Sequence, residues 1–304
     1  MGSIAIVLPV FGLIGIGYLS RFFGLLGERT GEGVSDFVFS LAVPCLIFRT
    51  LVRAEVPAVQ PWGYWIAYFA GVAIVWAVAS FAARRFFGVV GTEGVVTGFA
   101  AAQANVVMMG IPLILSAYGE EGAVPLFLLV AIHLPIIMVA ATVMVEGRNA
   151  PLLGIARRLL VHPVILSTIL GLLGRFVPDL IPSPLWQIID TLGSAAVPCA
   201  LVAMGIALRR YGIEAGWRLA AVITVLKLVV QPLIVLVLAR YVFAMPRAWS
   251  GVAVLFAACP TGINAYLFAE RYREGVAVTS SAIALSTVLA LGTTVLWLQV
   301  LGLG

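Results

Sequence analysis

Charge is what this chain has least of. Only 10% of its 304 residues are Asp, Glu, Lys or Arg, against 62% that are hydrophobic, and a water-facing surface requires far more charge than that. A soluble domain is therefore excluded. The three cysteines, Cys45, Cys199 and Cys259, sit inside apolar runs with neither CxxC spacing nor a nearby histidine pair, so no disulfide, metal site or cofactor is expected. A membrane-embedded enzyme would need a nucleophile with its base, or a paired metal set, and no His/Asp/Glu cluster supplies either. The net charge of +5 does not point to nucleic acid, because the arginines are strung along short loops and form no continuous basic face.

What the chain does have is apolar runs of membrane length, since about 20 residues of helix cross about 30 Å of hydrocarbon. Read between charged or Gly/Pro punctuation, they give ten expected spans, at 4–21, 34–52, 62–82, 94–117, 122–145, 163–178, 185–208, 217–241, 249–269 and 276–301. The expected fold class is thus an all-α membrane protein of ten helices, multi-pass in the inner membrane with the lipid bilayer as its solvent. Ile4 to Leu19 has no basic n-region and no convincing cleavage site before Arg21, so it is read as a retained span.

The two halves of the sequence resemble each other. At an offset of 154, Pro9-Val10 falls on Pro163-Val164, Arg21-Phe22 on Arg175-Phe176, Asp36 on Asp190, and Ala42-Val43-Pro44-Cys45 on Ala196-Val197-Pro198-Cys199. At an offset of 157, Gly94, Val95, Phe99, Ala100 and Ala101 fall on Gly251, Val252, Phe256, Ala257 and Ala258. Residues 1–150 and 151–304 are therefore expected to be two five-span repeats. An odd number of spans makes the second copy inverted. Asp36 and Asp190, near span ends, read as caps or loop anchors. One set of alternate loops holds Arg21, Arg29, Arg84, Arg85, Arg148, Arg157, Arg158, Arg209, Arg210, Arg218, Arg271 and Arg273. The other holds Arg53, Arg175, Arg240 and Arg247, with Arg49 near its edge, which puts both termini outside the cytoplasm.

Irregular backbone at membrane depth persists only where protein packs it or a cavity needs it. Span four carries Gln103-Ala104-Asn105 with Gly110 and Pro112, and span nine carries Pro260-Thr261-Gly262 with Asn264. Two readings stand at this level. Either both helices break and turn their half-helix N-termini toward a carboxylate, or Pro112 and Pro260 merely kink continuous helices while the asparagines tie helices together. Lys227, the single lysine, lies near the middle of span eight, where its charge is either functional or paired structurally. His133, two residues before Pro135, either carries a coupling proton or satisfies a carbonyl. Gly12, Gly15 and Gly17 sit mid-span and are expected to allow close helix packing.

The run Asn105-Val-Val-Met-Met-Gly-Ile-Pro-Leu-Ile-Leu-Ser-Ala-Tyr-Gly119 resembles the fourth-helix segment of the auxin efflux carrier family, plant PIN members included. Pro260 to Tyr272 is similar to that family's Pro-x-Gly-Ile segment, and Val43-Pro44 and a basic residue five places before Pro232 also fit. The resemblance implies an inverted-repeat crossover fold shared with sodium/proton antiporters and bile acid symporters. Spans one, two, six and seven would be the scaffold, joining two copies as a homodimer, and spans three to five and eight to ten the moving transport domain. It also implies binding of a small organic anion, auxin-like or a mono- or dicarboxylate, near Asn105, Pro112 and Pro260. Ala104 stands where plant members have a second proline, and Asn264 where an apolar residue is expected, which favours a substrate other than auxin, such as malonate.

Overall fold

A computed structural model describes residues 2–54, 62–147, 150, 153–154, 157, 160–177, 181–213 and 216–303. Arg148, Pro151 and Arg158, at the expected repeat junction, and Pro178, at the expected end of span six, lie outside the described residues. The described chain is helical throughout, apart from one antiparallel bridge between Ala104 and Thr261.

Eleven helices follow in order. They are α1 (Ser3–Phe22), α2 (Glu28–Arg53), α3 (Trp62–Phe87), α4 (Thr92–Ala102), α5 (Val106–Glu146), α6 (Pro163–Gly174), α7 (Ser183–Leu208), α8 (Trp217–Val242), α9 (Arg247–Ala258), α10 (Ile263–Tyr272) and α11 (Val276–Val300). Seven of them, α1, α2, α3, α5, α7, α8 and α11, are long and apolar enough to cross a bilayer. The difference from ten has three local causes. The second part of expected span four and all of span five share α5, in which two helical stretches meet at a kink where Gly119 leaves helical geometry (φ 55°, ψ −136°). Span nine is divided into α9 and α10, and span six is reduced to the 12 residues of α6. Span two begins earlier than its apolar run, at Glu28, because Gly27 opens a polar turn that the membrane pattern does not register.

Proline shapes three of the long helices in one way. Wide π turns occupy Val38–Ala42, Val106–Gly110 and Leu226–Val230, each ending two residues before Pro44, Pro112 or Pro232. Proline has no N–H to bond the carbonyl four residues back and its ring crowds that carbonyl, so the turn ahead of it opens. One freed carbonyl, that of Leu228, accepts a hydrogen bond from Trp297 Nε1 at 2.8 Å, which ties α8 to α11.

Two packed groups result. In the first, α1 lies along α7, and α2 packs on α6 and α7. In the second, α3 packs on α4 and α8, α9 on α8 and α5, and α11 on α8 and α10. Because lipid gives helices little hydrophobic reason to associate, close backbone approach matters. A Cβ on Gly17 would meet the carbonyl oxygen of Val202 at 2.2 Å, and one on Gly205 that of Ile14 at 2.0 Å. Gly12 and Gly15 do not share this role, since a Cβ there would meet nothing within 4 Å.

Neither Asp36 nor Asp190 is a helix cap, as α2 and α7 start earlier, after Gly27 and Pro182. Asp190 receives two hydrogen bonds from Arg53, at 3.0 and 2.9 Å, while Arg49 donates to its backbone oxygen at 3.0 Å. The Arg53 guanidinium also lies 4.5 Å above the Trp186 ring. The pairs fasten α2 to α7 at one end of the bundle.

Candidate functional site

Both segments rich in helix breakers are broken, not kinked. After α4 ends at Ala102, Gln103 is extended (φ −78°, ψ 125°), and after α9 ends at Ala258, Cys259 is extended too (φ −60°, ψ 144°). The two extended pieces pair. Asn105 N–H donates to the Pro260 carbonyl at 2.9 Å, and Gly262 N–H donates to the Gln103 carbonyl at 3.2 Å. Ala104 N–H, facing the other way, donates to His133 Nε2 at 3.4 Å, and Thr261 N–H to Ser286 Oγ at 3.0 Å. Backbone that has left the helical ladder inside an apolar bundle is thereby re-satisfied.

The four half-helix ends at this crossing are treated differently. At the C-terminal ends, Thr261 Oγ1 donates to the Ala100 carbonyl of α4 at 3.1 Å, and Lys227 Nζ donates to the Ala257 carbonyl of α9 at 2.5 Å. At the N-terminal ends of α5 and α10, no side chain caps the helix: neither Asn105 nor Gly262 makes a side-chain cap bond. Uncapped N-termini carry free N–H groups and about half a positive charge each.

Those N-termini border a cavity of about 120 Å³ lined by Gln103, Asn105, His133, Phe256, Gly262 and Asn264 among others. No lining residue is acidic. Among the described residues the Asn105 amide donates to Met204 Sδ alone, at 3.0 Å, and a thioether is a weak acceptor. Gln103 Oε1 is buried without a partner among the described residues. His133 is fixed from both sides, with Tyr68 Oη 2.9 Å from Nδ1 and Ala104 N–H at Nε2. Because an N–H donates to Nε2, that nitrogen is the unprotonated one, and the ring proton sits on Nδ1.

Of the residues singled out in the sequence, Asn105, Gly262, Asn264 and His133 line the cavity, whereas Gly110, Pro112, Pro260, Thr261 and Lys227 stand behind it. Pro260 and Thr261 hold the crossing together, and Pro112 lies in α5 beyond the π turn. A Cβ on Gly110 would meet Cys259 Sγ at 3.1 Å, so this glycine packs α5 against the other broken segment. Phe256 in the wall and Tyr68 behind His133 are additions that only the structure supplies, and Gln103, noted in span four, proves to line the cavity as well. Gln103 carried a signal in being polar within an apolar run; the other two carried none.

Two larger cavities flank the crossing. One of about 540 Å³ is lined by Arg21, Glu32, Arg209 and Arg210 and shares Phe39, Ile263 and Leu267 with the central cavity. The other, about 680 Å³ with Arg49, Arg53, Glu120 and Glu121 in its walls, shares no lining residue with it. Among the described residues the central cavity thus adjoins the first of these two cavities and not the second.

A small chamber with four polar side chains in an otherwise apolar wall, next to a larger cavity and formed where two helices break, is what a membrane transport protein requires. The family described as "Membrane transport protein" matches residues 3–298, and the chain belongs to it, which is the auxin efflux carrier family of the sequence resemblance. A protein of Rhizobium meliloti (strain 1021) named "Putative malonate transporter" is 33% identical over 305 residues, covering 95% of this chain and 92% of that protein. An "Uncharacterized transporter" of Methanothermobacter thermautotrophicus is 27% identical over 317 residues, covering 99% of both. The family and these relatives are transporters, so the chain is not an enzyme.

Proposed function

We propose that the chain is a secondary transporter of small organic anions, a short dicarboxylate of the malonate kind above all. The observation that carries this reading is the asymmetry of the half-helix ends: donors occupy the two C-terminal ends, while the two N-terminal ends are uncapped beside a cavity with no acidic wall. Such a site favours an anion. The name of the Rhizobium meliloti relative points the same way.

Counted with α4 joined to the first part of α5, and α9 joined to α10, the helices make ten spans in an inverted repeat of 1–150 and 151–304, with α4, α5, α9 and α10 as the crossover. The group of α1, α2, α6 and α7 is the scaffold, through which two copies pair. The remaining helices form the transport domain, which carries the site across the membrane by an elevator motion. Arginine asymmetry supports a protein of the inner membrane with both termini outside the cytoplasm. A C-terminal tag is then reached by an impermeant reagent in intact cells; a tag reached only after permeabilisation reverses this orientation.

Purified protein in proteoliposomes should take up radiolabelled malonate saturably, with other short carboxylates competing. Replacing sodium by potassium or choline should leave the rate unchanged, since sodium wants several oxygen ligands including carboxylates. Loss of uptake in choline would establish sodium coupling. Failure of every small carboxylate to bind, with binding of a neutral or cationic solute instead, would remove the anion reading.

A further inference from the structure

Lys227 has no exposed surface, and the ion pairs among the described residues all belong to arginines. Its ammonium faces oxygen dipoles instead: Gln231 Oε1 accepts at 2.8 Å and the Ala257 carbonyl at 2.5 Å. Gln231 is equally buried, on the next turn of the same helix. A buried charge with no counter-charge is costly, so its surroundings must supply a negative potential. The source at hand is the C-terminal end of α9, worth about half a negative charge.

The balance at the crossing then depends on this side chain. Two N-terminal ends attract an anion and two C-terminal ends repel it, each by about half a charge, so the bare crossing is close to neutral. Thr261 satisfies the α4 end with a hydroxyl and adds no charge. Lys227 adds a full one. We infer that Lys227 is a fixed cation that cancels the negative pole of α9 and leaves the N-terminal poles in control of the anion. It holds by a covalent tether the place that an exchangeable monovalent cation would otherwise fill. Lys227 is a positioning residue, one shell behind the cavity, and the inference rests on the anion site proposed above.

The test compares malonate affinity and uptake for the wild type, Lys227→Met and Lys227→Ala in proteoliposomes, with sodium and a series from methylammonium to butylammonium in the bath. Lys227→Met keeps the bulk and loses the charge, and should bind malonate about tenfold to a hundredfold more weakly. Lys227→Ala should be similarly weak and should recover, saturably, with a short alkylammonium that reaches Gln231 Oε1 and the Ala257 carbonyl. Lys227→Met, its space filled, should not recover, and the wild type should respond to none of these cations. Wild-type affinity in Lys227→Met overturns the inference, as does a monodisperse Lys227→Ala with wild-type unfolding temperature that no amine restores. If Lys227→Ala does not fold, the affinity of Lys227→Met decides alone. A wild type that binds no small carboxylate fails at the anion site itself, a separate result visible before any variant is made.

Discussion

Asn105→Asp is expected to abolish high-affinity anion binding at neutral pH while leaving the protein folded. The amide sits at the uncapped start of α5, in the cavity wall, and its only side-chain partner among the described residues is a methionine sulfur, so substitution loses little inside the protein. Asn105→Ala removes one hydrogen bond to a charged ligand, about 1.5 to 3 kcal/mol, or roughly tenfold to a hundredfold in affinity. Aspartate has nearly the same shape but sets a carboxylate against the substrate's own, and such like-charge contact costs several kcal/mol more in a weakly screened site. Its protonation relieves the repulsion, so binding by the Asp variant should partly return as the pH is lowered. Malonate titrations of both variants across pH, on monodisperse protein, provide the measurement. Equal affinity of Asp and Asn at neutral pH would mean that no anion is held at this position.

The second large effect concerns assembly of the fold. At Gly205 an added Cβ would lie 2.0 Å from the Ile14 carbonyl oxygen and 2.7 Å from the Tyr18 nitrogen, all of it backbone of α1. No rotamer change relieves that clash, so Gly205→Ala must push α1 and α7 apart along their shared face. Overpacking of this kind costs about 1 to 3 kcal/mol and at times more. Gly12→Ala adds the same methyl where nothing lies within 4 Å. Thermal unfolding in detergent should show a clear drop for Gly205→Ala and none for Gly12→Ala; equal unfolding temperatures would contradict the close approach.

Comparison of these glycines shows what a sequence conveys about such a chain. Gly12, Gly15 and Gly17 look alike in the run Gly-Leu-Ile-Gly-Ile-Gly, yet only Gly17 meets α7, because the choice depends on how α1 is rotated against a partner that local pattern does not name. The breaks were legible, since Asn, Gly and Pro inside two otherwise apolar runs conflict with helix at both places. The span count was only partly so: the kink at Gly119 falls between the expected spans 94–117 and 122–145, whereas the shortness of α6 carries no mark in the apolar pattern. Within the cavity, Asn105 and Asn264 announced themselves as amides among aliphatics. Phe256 in its wall and Tyr68 behind His133 did not, as an aromatic in a membrane span is ordinarily packing. The partner of Lys227 was beyond reach altogether, because a backbone carbonyl such as that of Ala257 exists at every position and only the fold selects one.

The pairing of Ala104 with Thr261 also bears on the order in which the protein is made. Its partners are 157 positions apart (261 − 104), so more than half the chain is synthesised between them. Until Pro260 and Gly262 arrive, the Asn105 N–H and the Gln103 carbonyl lack the partners that they have in the finished bundle. The first half therefore enters the lipid with an open seam that only the second half closes, so the two halves complete the crossing together.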